Sequence, residues 1–233
     1  MIQMDMQIGS RQWQAVIRQG AEEVGVAVDD AALHGFAVHA VEMIKFNRRI
    51  NLTAITDPFS VAVKHVIDSL AAAPHVPADA RLLDIGSGAG FPGIPLKIVR
   101  PLSTVVLIDA VARKVSFLKH VIRQLGLDGL SARHQRAEQM GDNSADLFDV
   151  VISRALSSLQ QCVQLACPLI KRTGGTIVAL RGHVGDGEIS ALRQWLNRRA
   201  ADADGMDYDL DSYPFPLPFL NDCRTVIKVR LSG

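Results

Sequence analysis

Residues 82–93 read Leu-Leu-Asp-Ile-Gly-Ser-Gly-Ala-Gly-Phe-Pro-Gly, an apolar run followed at once by glycines at alternating positions. This segment constrains the architecture more than any other. It predicts a buried strand that turns sharply into a helix, because glycine tolerates positive φ and lets a ligand approach the backbone closely. Further short apolar runs follow at Thr104–Ile108, Phe148–Ile152, Thr176–Leu180 and Thr225–Val229, most of them rich in Val and Ile. With the first run, Arg81–Ile85, and with helical stretches between the earlier ones, they predict a doubly wound α/β sheet, mostly parallel.

Lys114–Leu125 carries Val115, Leu118, Val121, Ile122 and Leu125 at helical spacing and meets Gly126, as a crossover helix should. The tail SYPFPLPFLNDC followed by RTVIKV predicts an antiparallel hairpin closing one edge of the sheet. The region 1–75 reads differently. Trp13, Val16, Ile17, Ala21 and Val24 share one helical face; a second helix starts at Asp29/Asp30 with Leu33, Phe36, Ala37, Val41 and Ile44 on its apolar side. A third follows Pro58. The linker PHVPADA then separates a helical N-terminal region, 1–75, from a sheet domain, 76–233.

Composition narrows the class. The 233 residues are 48% hydrophobic and 21% charged, enough apolar surface for a large core. No run reaches the ~18 apolar residues of a membrane span. Three cysteines without CxxC spacing argue against a disulfide framework and a zinc site, so no metal is assigned and a reduced cytoplasmic chain, without a membrane partner, is expected. The N-terminus has no basic segment leading into an apolar one, so no secretory signal is expected. The net charge of +1 requires any nucleic-acid contact to use local basic patches rather than the overall field.

The loop itself excludes two common nucleotide classes. A dinucleotide fingerprint would need its third glycine where Phe91 stands, and a phosphate loop would need a lysine that does not come until Lys97. The order Asp84-x-Gly86-x-Gly88-x-Gly90 instead resembles the first motif of S-adenosylmethionine-dependent methyltransferases. That resemblance implies that the glycines admit the methionine part of the cofactor and that a second acid ends the next strand, accepting from the ribose hydroxyls. Asp109, 25 positions after Asp84, stands there. The bland readings are that Asp84 only braces the loop and that Asp109 only caps the following helix.

For the methyl acceptor, Phe148-Asp149-Val150-Val151-Ile152-Ser153-Arg154-Ala155-Leu156 follows neither the Asn/Asp-Pro-Pro-aromatic pattern of amino-group methylases nor the Pro-Cys of carbon-5 enzymes. An acceptor that is already nucleophilic remains. The set Asn51-Leu52-Thr53, Lys64–Leu70, Asp84–Leu96, Ile152–Ala155 and Ala179–Gly182 resembles the RsmG family, also called glucose-inhibited division protein B. The resemblance runs from about Asn47 to Gly182. It implies transfer of a methyl group from S-adenosylmethionine to N(7) of a guanine in the decoding-region loop of bacterial 16S ribosomal RNA, with the small ribosomal subunit as partner; a monomer is expected, although the sequence does not reveal the oligomeric state. It also implies that Gly86, Phe91, Ala137 and Glu138 line the cofactor pocket and that Arg154 stands beside the cofactor and acceptor mouth. Where members often carry Ala-Leu-Lys-Gly, this chain has Arg181, which is not a neutral replacement.

Guanine N(7) has an in-plane lone pair, so no base is needed and catalysis would be mainly positioning. Phe91 is read first as a core or cofactor-packing ring and second as a stacking partner for the base. His65 is read as a packed helical residue. RNA contacts are expected from Arg48 and Arg49, and from Arg113, Arg136 and Arg181 beyond strand ends, although a solvated surface charge is the bland reading of each. A small-molecule methyltransferase, or a non-catalytic RNA-binding assembly factor that kept the fold, stays open at this point.

Overall fold

The computed structural model describes residues 6–140, 147–154, 158–202 and 206–232. Its centre is a seven-stranded sheet of order β3-β2-β1-β4-β5-β7-β6. The strands are β1 (Arg81–Ile85), β2 (Thr104–Asp109), β3 (Leu130–His134), β4 (Val150–Arg154), β5 (Thr176–Arg181), β6 (Asp207–Pro216) and β7 (Cys223–Ser232). The first five run parallel, and β7 pairs antiparallel with both β5 and β6. The expected hairpin is therefore present, and β6 forms the outer edge, where Pro214 and Pro216 cost no ladder bond to a further strand. The fourth strand is displaced from the expected Phe148–Ile152. Phe148 makes only an isolated bridge to Ile170, while Ser153 and Arg154 end the strand instead of lying in the loop beyond it. Ala155, the last residue of the Ile152–Ala155 motif, lies outside the described residues.

Among the described residues, eight α-helices surround the sheet: α1 (Arg11–Glu23), α2 (Asp30–Ile50), α3 (Pro58–Val61), α4 (Asp68–Leu70), α5 (Gly93–Val99), α6 (Ala112–Leu125), α7 (Leu159–Ala166) and α8 (Asp186–Asp202). Alternation along the strands sends side chains to two cores. Leu82, Val105, Leu107, Ile152 and Val178 join residues of α1, α2, α5 and α6 on one face. Leu83, Ile85, Val106, Ile177 and Ile227 meet α7 and α8 on the other. The change in element type near residue 75 is not a break in packing, since Trp13, Leu33 and Phe36 share a core with the sheet.

Local chemistry explains the helix ends. Ser10 and Asp29 accept from the amides of Trp13 and Ala32 as N-caps, and Gly126 closes α6 at φ +60°. The buried face of α2 is rotated from the expected one: Leu33, Phe36, His39, Ala40 and Met43 are inside, and Val41 and Ile44 flank them half-buried. The helix after Pro58 is also not uniform. Between α3 and α4, residues Ala62–Ile67 form a π-helical turn. Gly20 allows α1 to lie against this turn, because a Cβ there would come within 2.4 Å of Ile67 Cδ1.

Candidate active site

The strand order reverses between β1 and β4, so the crevice beyond their carboxyl ends is where an open α/β sheet takes ligands. The glycine loop leaves β1 into this crevice. Gly86, Gly88 and Gly90 all have positive φ, at +71°, +58° and +89°. The amides of Gly86 and Ser87 both donate to the carbonyl of Ile108, at 2.9 and 3.0 Å, which pins the loop to the end of β2. A Cβ on Gly88 would meet nothing nearer than a backbone oxygen at 3.8 Å, so the loop surface there is open.

The two acidic residues have different surroundings. Asp84 is fully buried; its Oδ2 accepts from the Gly93 amide at 3.0 Å, and Oδ1 has no hydrogen-bond partner. Burial pushes its carboxyl up to about 7 against the pull of that amide. Asp84 thus sits beneath the loop and braces it. Asp109 ends β2, and its oxygens accept from Val111 N at 2.8 Å and Gly88 N at 3.0 Å. It both caps the approach to α6 and ties down the loop, and each oxygen keeps a lone pair for a further donor.

Phe91 is 3% exposed and lies between two imidazoles, with ring centroids 4.5 Å from His39 and 4.6 Å from His65. It is a packing ring, and its faces are already covered. His39 Nε2 meets the Ala89 carbonyl at 2.7 Å. Burial lowers His39 to about 4 and, reinforced by the Arg154 charge, lowers His65 to about 3, so both rings are neutral near pH 7.

Arg154 comes from the end of β4 and reaches the π-turn. Its Nη1 donates to the Lys64 carbonyl at 2.9 Å and to Asp68 Oδ2 at 3.1 Å, and Nη2 meets His65 Nδ1 at 3.1 Å. The guanidinium also stands 5.2 Å from the Phe91 ring centre. On the far side, His65 Nε2 meets Thr53 Oγ1 at 2.9 Å, and the Asn47 side chain bonds both backbone groups of Thr53. The segment Asn51–Thr53 is therefore linked to β4 through side chains.

Arg154 and Arg181 share one cavity of about 590 Å³ with Lys64, His183 and Arg224, and Asp68 is a carboxylate in its wall. Arg181 is paired with Glu188 at 3.4 Å. Arg224, at the start of β7, approaches Asp68 Oδ1 at 3.4 Å and Asp222 at 2.8 Å. The remaining expected residues lie outside this cluster. Arg113 and Arg136 follow β2 and β3 and are exposed, as are Arg48 and Arg49 in the last turn of α2. Ala137 is buried and Glu138 exposed in the turn after β3. Sequence reasoning assigned no role to Asp68 or Arg224. Asp68 stood in the motif Lys64–Leu70, which was its signal; Arg224 had none, because its meeting with Asp68 depends on how β7 enters the sheet.

The family model for rRNA small subunit methyltransferase G (GidB) matches residues 34–203. The chain belongs to that family. Ribosomal RNA small subunit methyltransferase G of Geobacter sp. (strain M21) is 41% identical, with 92% of this chain and 95% of the relative aligned. Its counterpart in Halalkalibacterium halodurans is 36% identical over 91% of this chain and 88% of the relative. Among solved structures, M. jannaschii TYW2 in complex with AdoMet is similar, with a TM-score of 0.55 at 14% identity over 72% of this chain and 75% of that one. The B. subtilis M1A22 tRNA methyltransferase TrmK gives 0.55 at 14% identity, covering 73% of this chain and 68% of that chain. These two likenesses establish the Rossmann-like methyltransferase fold.

Proposed function

We propose that this chain transfers a methyl group from S-adenosylmethionine to N(7) of a guanine in the decoding-region loop of bacterial 16S ribosomal RNA. One observation carries the reading: Arg154, which lines the cation-lined cavity, also stands 5.2 Å from the ring of Phe91, whose backbone continues the glycine loop. A cofactor over the loop and a base in the cavity would then be neighbours on either side of Arg154. RNA of the small subunit is the partner, the cytoplasm is the place of action, and the chain acts as a monomer.

The residues suit S-adenosylmethionine. The open surface at Gly88 accommodates the methionine part, with Gly86 and Gly90 shaping the turn, and the spare lone pairs of Asp109 suit two vicinal ribose hydroxyls. Ala137 and Glu138, beyond β3, would line the adenine edge. Asp84 acts through the loop it braces, and Phe91 backs the pocket. Bound there, S-adenosylmethionine supplies an electrophilic methyl group on a sulfonium.

The protein's contribution is orientation. Arg154 is held by three partners and would stand between cofactor and acceptor, and Arg181, in the wall of the same cavity, would contact the RNA. Arg48, Arg49, Arg113 and Arg136 offer exposed charge to the phosphate backbone. Because N(7) carries no proton, no residue need act as a base, and holding sulfur, carbon and nitrogen in line supplies the rate.

The test is transfer of labelled methyl from S-adenosylmethionine to small subunits that lack the modification, followed by borohydride and aniline cleavage to map N(7)-methylguanine. One cleavage in the decoding-region loop is the expected result. No transfer to naked RNA or to intact subunits, with cofactor still bound, would discard this acceptor.

A further inference from the structure

The geometry points to Asp68 as the positioning residue of the transfer step: it fixes the Arg154 guanidinium and cancels its charge at the acceptor mouth. The inference rests on the reading of Arg154 as the residue at that mouth.

Asp68 is the first residue of α4, directly after the π-turn, and is 6% exposed. Its two oxygens face two arginines from different strands, Oδ2 toward Arg154 of β4 at 3.1 Å and Oδ1 toward Arg224 of β7 at 3.4 Å. The turn concentrates the contacts. Lys64 O, His65 Nδ1 and Asp68 Oδ2 all receive the same guanidinium, so Arg154 is fixed in plane as well as in place. Arginine has no acceptor, so His65 Nδ1 must be bare and its proton must sit on Nε2, toward Thr53 Oγ1. His65 is thus neutral and adds no charge to the mouth.

The chemistry makes this compensation useful. When the methyl group moves, positive charge passes from the sulfonium to the purine ring. An uncompensated guanidinium beside N(7) would oppose the build-up of charge in a partly dry site, where such repulsion is poorly screened. A guanidinium paired with a carboxylate keeps its donors and its shape without that penalty. Arg224 pairs with Asp222 at 2.8 Å as well as with Asp68 at 3.4 Å, so two carboxylates answer the two arginines, and the shorter contact of Asp68 is the one to Arg154.

The experiment is a double-mutant cycle of Asp68→Asn and Arg154→Ala in the full chain, with kcat, KM for small subunits and Kd for S-adenosylmethionine measured for each variant. Asp68→Asn keeps the volume and removes the charge. The expected result is a loss of about tenfold or more in kcat, with KM and the cofactor Kd within about twofold. In the Arg154→Ala background the same change should cost less than twofold, because Asp68 acts through Arg154. An unchanged kcat, or an equal loss in both backgrounds, would overturn the assignment. If Asp68→Asn does not fold, Asp68→Glu decides, since its extra methylene displaces the guanidinium while keeping the charge; full kcat in that variant would also overturn it.

A second arm needs no substrate and separates this inference from the proposed acceptor. Nitrogen-15 NMR of the wild type should show His65 with an unprotonated, hydrogen-bonded Nδ1, and that signal should move toward the free-imidazole position in Asp68→Asn. A signal unmoved by the substitution would sink the positioning role. Wild-type chain that transfers nothing to RNA would instead count against the acceptor alone.

Discussion

Arg154 Nη2 and His65 Nδ1 lie 3.1 Å apart, so a guanidinium at the end of β4 sets the tautomer of an imidazole on the π-turn. This bond joins the sheet to the helical N-terminal region at the crevice itself. The ring it orients covers one face of Phe91, whose backbone continues the glycine loop. Loop, turn and strand end are therefore held as one body, and substitutions in any of them should affect the others.

Arg154→Ala is the first case. Read from sequence, the variant should lose transfer while staying folded. The structure adds a stability cost, because removal leaves the buried Asp68 carboxylate with Arg224 as its nearest cation. Breaking such a pair from one side costs about 3 kcal/mol. Chemical denaturation should show that loss, with transfer lowered at temperatures where the variant is still folded. A fully active variant of wild-type stability would make the contacts of Arg154 incidental.

Asp109→Ala removes the partner of two backbone amides and of Lys114, 4.0 Å away, together with the proposed contact to the ribose. Calorimetry should show S-adenosylmethionine affinity reduced at least about tenfold, equal to ~1.4 kcal/mol. Asp109→Asn retains an amide oxygen for one of the two backbone donors, so it should fall between wild type and alanine. Unchanged affinity in the alanine variant would remove Asp109 from the cofactor site.

Gly93→Ala tests the packing beneath the loop. A Cβ at Gly93 would lie 2.4 Å from Leu107 Cδ2 and 2.7 Å from Asp84 Oδ2, in the interval between β1, β2 and α5. Overpacking of this kind costs about 1–3 kcal/mol. The same displacement should pull Asp84 off its amide partner and weaken cofactor binding. A thermal midpoint within a degree of wild type would show that the loop can yield.

The buried carboxyl of Asp84 makes a pH signature. Its folded value of about 7 stands above the ordinary 3.8, so folding retains a proton that the unfolded chain releases. That contribution is fully present below about pH 3.8 and is lost as pH rises through 7. The wild type should therefore gain on Asp84→Asn as pH falls from about 8 to 5, with a limiting slope of roughly 1.4 kcal/mol per pH unit. His39 and His65 work in the opposite sense, since their values near 4 and 3 make the folded state refuse protons that the unfolded chain accepts below about 6.5. Comparing the two chains at each pH cancels the histidines and isolates Asp84. A difference in stability that does not vary with pH would contradict the raised carboxyl.

Much of this fold was legible along the chain. Strand runs, the crossover helix with its Gly126 stop, the capped α2 and the terminal hairpin are written in nearest-neighbour chemistry: periodicity, capping and turn residues act over a few positions. The glycine loop and the acid ending β2 were readable for the same reason, since a strand-loop-helix unit carries its own geometry. The family motifs also pointed to the chain's membership. The π-turn was not legible, because its residues have the same apolar spacing as an ordinary helix, and the close approach at Gly20 and the contacts of Arg154 are tertiary. Likewise, α2 buries His39 on the face that meets Phe91, a choice that depends on the neighbouring loop.

The sequence alone thus determined the sheet class, the glycine loop and the residues that could serve the reaction. Tertiary structure decided which of them meet. It put Asp84 under the loop, enclosed Phe91 between two imidazoles, and brought Asp68, Arg154 and Arg224 together from positions up to 156 apart. The physical reason is that a buried carboxylate needs partners that satisfy its charge, and those partners are chosen by how strands stack and helices cross the sheet, over distances that no local pattern encodes.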